Sequence, residues 1–379
     1  MQVLLIEGFD WLGVRSSLSF GGSTTKGKWS IALVGGTASA SDINTSGPPS
    51  GVRKHDCCLK LTNRGGTNSA AVYTRSGVLT SSTDYLIGFW FYFSASPVSG
   101  YSTILRLNDS SGLIFDSTGK LYLTLGSGAK TNYTGTTISS GTWHHIQLSI
   151  KGTAGVLNDG DFSLYIDGVK VGNNTGLGNT TLSIFPLTKL SLTTEAISGY
   201  SNSSTFGYKY YDDMFVIDSG TVFTGTYLPE VRLLLPVANS DDSGHNQFTP
   251  NSGTNWSNLT SYEGATSYTS ETLSYVEADS VGSLEFEQMG PLPTNYTVLA
   301  VEAAAMVLDT VGTNNIGIHY IQHGLRNGGS DIFCLTEHGP FSTYQTSYCH
   351  HIYQTNPFTG ESWTPADLQT MQAGIKITT

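Results

Sequence analysis

Charge is what this sequence has least of. Charged residues make up 12% of its 379 positions, about half of what soluble domains usually carry. That shortage argues against long solvated helices laced with ion pairs. Lys and Arg number 18 against 29 Asp and Glu, a net charge of −11. No basic run stands out, which argues against nucleic acid as a partner. No stretch approaches the roughly 20 apolar residues that cross a bilayer, so no membrane insertion is expected. The opening MQVLLIEGFDW lacks a basic n-region and its apolar run is broken by Glu7. The expectation is synthesis in a cytoplasm without a cleaved export signal. Four cysteines are too few for a disulfide scaffold. Cys57 and Cys58 are adjacent, Cys334 and Cys349 flank a hairpin-like segment, and all four are expected to be reduced. The glycine pairs Gly21-Gly22, Gly35-Gly36 and Gly65-Gly66 precede no helical pattern, which excludes a phosphate-cradling loop.

Ser, Thr, Gly and Asn take the place of the missing charge, and 20 Tyr and 16 Phe supply aromatic volume for a large β core. The clearest stretch runs from Gly141 to Val171. His145 to Ile150 and Phe162 to Ile166 alternate apolar and polar residues, and the second run ends in the turn dipeptide Asp167-Gly168. Period two marks strands with one buried face. Leu86 to Phe93, LIGFWFYF, is apolar throughout and reads as a central strand covered on both faces. Turn signals recur about every 8–12 residues, the spacing of a sandwich or jelly roll. Gly35 to Gly51 reads as a long surface loop. Leu228 to Pro236 reads as a strand opening a new unit, and the stretch after it as polar and turn-rich. Val298 to Leu308 is ambiguous in its alanines but lies among strands, and is taken as one. Thr364-Pro365-Ala366-Asp367 has the N-cap, first-turn proline and capping-box acid of a short helix. Gly374 is expected to end that helix before a final strand at Ile375 to Ile377. The reading is all-β in two domains, 1–227 and 228–379, with no internal repeat.

Five places along the chain carry a resemblance. LIEGFDWL, the pair Trp143-His144-His145-Ile146 and Tyr165-Ile166-Asp167-Gly168, and Asp212-Asp213-Met214-Phe215-Val216 are similar to strands of a concanavalin/laminin-G-like jelly roll. PEVRLLLPVANSDD and the ending NPFTGESWTPADLQTMQAGIKI resemble segments of tailed-bacteriophage virion structural proteins. The resemblance implies an N-terminal concanavalin A/laminin-G-like jelly-roll sandwich followed by a second C-terminal β-sandwich. It implies a non-enzymatic virion structural protein, made in the host cytoplasm: a tail, collar, fibre or head-decoration component. Such a protein would be a homo-oligomer docked on other virion proteins of capsid, collar or tail. The alternative is a carbohydrate-binding adhesin or receptor-binding protein that recognises host surface glycans.

Hydrolysis of a glycoside needs two carboxyl groups about 5–9.5 Å apart. The first domain has no E-x-D-x-E strand, and its acids Asp109, Asp116, Asp159, Asp161 and Asp167 sit mainly at turns. Glu285 and Glu287 share one strand face with no third acid in sight, so no enzymatic activity is expected. Vicinal His144-His145 and His350-His351 point to opposite faces and cannot chelate together. His319 and His323 with Cys334 and Cys349 make an alternative zinc set. The resemblance also implies calcium as a candidate cofactor, since laminin-G-like domains often bind it through loop oxygens; here Asp159 and Asp161 are the candidate ligands. Tyr208, Tyr210, Tyr211 and Trp11 are the aromatic candidates for stacking on a sugar.

Overall fold

A computed structural model describes residues 2–7, 29–34, 43–46, 58–62, 69–74, 79, 84–108, 111–125, 129–152, 160–177, 187–194, 197, 207–218, 227–228, 238–250, 253–254, 276–277, 283–289, 292, 294–307, 320–339 and 347–378. Their regular structure is almost wholly β strand, as the alternating sequence requires. The chain divides into two compact units, Met1–Leu233 and Leu234–Thr379.

The first unit begins with β1 (Gln2–Glu7), β2 (Trp29–Val34), β3 (Ile43–Ser46), β4 (Cys58–Thr62) and β5 (Ser69–Thr74). There follow β6 (Asp84–Phe93), β7 (Tyr101–Leu107), β8 (Ser111–Asp116), β9 (Lys120–Leu125) and β10 (Ala129–Thr137). The series closes with β11 (His144–Lys151), β12 (Gly160–Ile166), β13 (Val169–Leu177), β14 (Leu190–Thr193) and β15 (Tyr208–Asp218). One sheet runs β13-β12-β11-β6-β15-β4-β3, with β1 also on β15; the other runs β10-β9-β8-β7-β14-β5-β2. Every pairing between them is antiparallel.

β6 is central, between β11 and β15, which is why its sequence is apolar on both faces. Tyr85, Ile87, Phe89, Phe91 and Phe93 enter the core with Leu105, Phe115 and Tyr211. The Phe93 and Phe115 rings lie 4.7 Å apart. Each fully buried side chain of this kind stabilises the sandwich by about 1.5–3 kcal/mol. The alternate residues Trp90 and Tyr92 face the other way, toward Cys58, Trp143 and Tyr210. Gly88 leaves room for a ring, because a Cβ there would lie 2.2 Å from Cζ of Phe215.

Asp167-Gly168 closes the β12–β13 hairpin between the paired Ile166 and Val169. Both take positive φ, +50° and +82°, the backbone a two-residue type I′ turn requires. β15 has two halves. Tyr208 to Tyr211 pair with β4, and Met214 to Asp218 pair with β1. A bulge between Asp212 and Phe215, with Asp213 at φ +44°, separates them. The long loop expected over Gly35 to Gly51 is corrected in part: Ile43–Ser46 is an edge strand on β4. Its ladder is backbone hydrogen bonding, which polar residues make as well as apolar ones.

The second unit contains β16 (Ala238–Asn246), β17 (Thr249–Pro250), β18 (Val276–Glu277), β19 (Leu284–Met289) and β20 (Val301–Val307). It continues with β21 (Tyr320–Asn327), β22 (Ser330–Phe333), β23 (Ser347–Tyr353), α1 (Pro365–Leu368) and β24 (Gln372–Thr378). Its main sheet runs β16-β19-β24-β21-β22, beside the pairs β17-β18 and β20-β23. Ala303, Leu325, Cys334, Tyr353, Trp363 and Met371 form its core. The Trp363 indole N–H donates to the Tyr353 carbonyl at 2.8 Å. α1 has the capping box read from the sequence: Thr364 accepts from the Asp367 N–H, and Asp367 from the Thr364 N–H. Gly374 does not end that helix. It lies inside β24, where a Cβ would come within 2.0 Å of the Glu285 carbonyl oxygen, so glycine serves close strand approach. Of the strand expected from Leu228 to Pro236, Leu228 is described and is not in a strand, and the rest lies outside the described residues.

Candidate functional site

The face of the larger sheet turned away from the core carries an aromatic row that follows from period two across four strands. Register sets Tyr210 opposite Tyr92 and Asp212 opposite Trp90. It also sets His145 opposite Trp90 and Lys60 opposite Tyr210. Tyr92 lies 5.6 Å from Trp143 and 5.5 Å from Tyr210, centroid to centroid. Tyr208 meets Tyr210 edge-on and is 42% exposed. The Lys60 ammonium stands 3.9 Å from the centre of the Tyr208 ring. Trp90, Tyr92 and Lys60 are partly buried, and Trp143 and Tyr210 more deeply so. Burial, with Cys58, Tyr208 and Tyr92 alongside, pushes the Tyr210 phenol up to about 12. It therefore stays a neutral hydroxyl.

Beside this row the chain folds back over β11. The Gln147 amide donates to the Leu228 carbonyl and accepts from its N–H. Tyr227 is thereby set over His145, whose Nδ1 lies 3.0 Å from the Tyr227 hydroxyl, and 5.5 Å from the Tyr165 ring. His144 points elsewhere, with Nδ1 2.8 Å from Asp167 Oδ2 and Nε2 accepting from the Ser139 N–H at 3.0 Å. Burial alone would raise the Asp167 pKa, but hydrogen bonds from His144 and the His145 N–H hold it below the usual carboxylate range.

The residues singled out in the sequence fare differently. Tyr208 and Tyr210 join the row, whereas Tyr211 is buried in the core and donates to the Ile104 carbonyl. Trp11 and Asp159 lie outside the described residues. Asp161 sits in β12 opposite Lys151. Trp90, Tyr92, Trp143 and Lys60 were missed as site residues. For Trp90 and Tyr92 the signal was their every-other-residue spacing in β6, and the places of Lys60 in β4 and Trp143 before β11 join them only once the strands are in register.

In the second unit, Asp241 of β16 stands opposite Glu287 of β19. One carboxylate oxygen from each of Asp241, Glu285 and Glu287 lies within 4.8 Å of the others. This corrects the expectation that the two glutamates lack a third acid, because strand pairing supplies it. Glu285 accepts from the Phe248 N–H at 2.9 Å. Burial first, then the Glu285 and Asp241 carboxyls beside it, push the Glu287 carboxyl well above the usual carboxylate range. Among the described residues no other three metal-ligating side chains converge in this way, so His323, Cys334 and Cys349 do not form a zinc set; His319 lies outside the described residues. Cys58, Cys334 and Cys349 are free thiols.

A family model described as the Concanavalin A-like lectin/glucanases superfamily matches residues 64–195. The first unit thus contains a concanavalin A-like domain, a fold shared by carbohydrate-binding and polysaccharide-acting proteins. No curated protein matches the sequence. Among solved structures, an endo-beta-1,4-glucuronan lyase from the fungus Trichoderma reesei is 17% identical with a TM-score of 0.35, covering 55% of this chain and 94% of its own. A PL-14 alginate lyase from Aplysia kurodai is 14% identical with a TM-score of 0.37, covering 49% and 90%. The catalytic domain of a glycoside hydrolase family 131 protein from Coprinopsis cinerea is 12% identical with a TM-score of 0.43, covering 61% and 98%. Nothing in these comparisons indicates a tailed-phage virion protein. The expectation of no enzymatic activity is corrected: the family model that matches residues 64–195 is named for glucanases as well as lectins. That expectation rested on a missing paired-carboxylate strand, a pattern tied to hydrolysis.

Proposed function

We propose that the first unit recognises carbohydrate on the aromatic face of its larger sheet. The observation that carries this reading is the row Tyr208, Tyr210, Tyr92, Trp143 and Trp90, with Lys60 at its exposed end. Sugar rings present C–H faces that stack on aromatic side chains, and a few polar groups nearby set orientation. The Lys60 ammonium and the exposed Tyr208 hydroxyl supply such groups at the rim. The matching family, named for lectins and glucanases, supports the same ligand class. The resemblance to tailed-phage structural proteins supplies a setting, a particle surface meeting host glycans, which mass spectrometry of purified virions would test.

The experiment is a glycan array followed by titration calorimetry with the best ligand, on the full chain and on Tyr208→Ala. A defined sugar bound at micromolar affinity, weakened about tenfold or more by the substitution, is expected; base-on-aromatic stacking of comparable area is worth about 1–3 kcal/mol. Silence across the array, or affinity indifferent to Tyr208→Ala and Lys60→Ala alike, would refute the reading. The same mixtures, read for new reducing ends and unsaturated uronate, report turnover.

A further inference from the structure

We infer that Asp241, Glu285 and Glu287 form a binding site for a hard divalent cation of calcium's size in the second unit. Three carboxylates on two paired strands present oxygens within 4.8 Å of one another. Calcium holds its oxygen ligands at about 2.3–2.6 Å, so ligands on opposite sides of one ion lie about 4.6–5.2 Å apart. The spread observed is that of a shared ion.

The second observation is Glu287 itself. It is 2% exposed, and among the described residues no N–H or hydroxyl donor reaches either of its carboxylate oxygens, which lie against the Glu285 and Asp241 carboxyls. Buried carboxylates are ordinarily paired, hydrogen-bonded or bound to metal, and this one is directed at two further acids. Arg326 pairs with Asp242 and Asp331, and Lys376 lies 5.4 Å from the centre of the Phe333 ring. Phe333 packs on Phe286, the residue between the two glutamates, whose side chain points to the opposite face. Asp241 is only partly buried, so an ion enters past it. Binding would tie the irregular edge strand β16, whose register shifts between Asp241 and Asn246, to β19. The inference is independent of the glycan reading, which concerns the first unit.

The test uses the full chain stripped with chelator, then titrated with calcium, magnesium or manganese chloride alone by calorimetry, with bound metal counted by mass spectrometry. One equivalent of calcium is expected, with the melting temperature rising in step. Glu287→Gln, which keeps shape, and Asp241→Asn, at the partly exposed edge, should each weaken binding at least tenfold. Circular dichroism would confirm that both variants fold. No uptake of any of the three ions at millimolar concentration would overturn the inference and leave a proton shared among the acids. So would binding that survives both substitutions, or binding abolished by Asp161→Asn in the first unit instead.

Discussion

Lys209 should make the stability of the first unit rise with pH above neutrality, and Lys209→Met should remove that rise. Lys209 lies on the core-facing side of β15, fully buried. Its amine crosses the sandwich to donate to the carbonyls of Thr103 and Thr193 on the opposing sheet. Burial drives its pKa from 10.5 down to about 7. In the unfolded chain the amine keeps its proton up to about 10.4. Between those values the unfolded state holds a proton the folded state lacks, so stability increases as pH rises. Below about 7 both states are charged and the burial cost is present in full. At about 1.4 kcal/mol per pH unit, the whole interval is worth about 5 kcal/mol. Methionine has similar reach and no charge, so it removes the slope while losing two hydrogen bonds worth about 1 kcal/mol each. The assay is denaturant unfolding of both proteins from pH 6 to 8.5, with hydrogen exchange of β6 and β15 peptides locating the transition. Because other groups titrate identically in both, the wild-type advantage over the variant should grow by about 2 kcal/mol between pH 7 and 8.5. A difference that stays flat across this range would refute a neutral buried amine.

Two further outcomes follow from the same sandwich. Gly88→Ala forces a Cβ against the Phe215 ring and should destabilise the first unit by about 1–3 kcal/mol, read as a lower denaturant midpoint with unchanged slope. Asp167→Ala removes the acceptor of the His145 N–H and of His144 at a position with positive φ, at a cost of about 1–3 kcal/mol. The charge of Asp167 stabilises above the unfolded carboxylate range near pH 4 and loses effect as pH falls through its lower folded value. Acid unfolding of Asp167→Asn should therefore begin from a weaker fold at pH 6 and show a shallower loss below pH 4.

Strand centres were legible because they bury both faces or alternate strictly. LIGFWFYF, His145 to Ile150 and Phe162 to Ile166 became β6, β11 and β12 with little adjustment. Edges were not. β3, β10, β13 and β16 are rich in Ser, Thr, Asn and Gly, and they hold their place through backbone hydrogen bonds that leave no side-chain pattern. Gly374 read as a helix terminator because glycine fits both a helix end and a crowded strand, and its neighbour Glu285 lies far off in sequence. The site residues divide the same way. Tyr208 and Tyr210 were visible as aromatics, but the row they belong to exists only once β4, β6, β11 and β15 are in register.

What the sequence alone determined is the kind of structure: low charge, alternation, the Asp167-Gly168 turn and the Thr364 capping box are local, and each restricts its own few residues to strand, hairpin or cap. What the tertiary structure decided is convergence. Asp241 meets Glu285 and Glu287, and Lys60 meets Tyr208, because β16 pairs with β19 and β4 with β15. Those pairings are made by main-chain groups common to every residue, so period two assigns each side chain a face without telling which distant strand will share it.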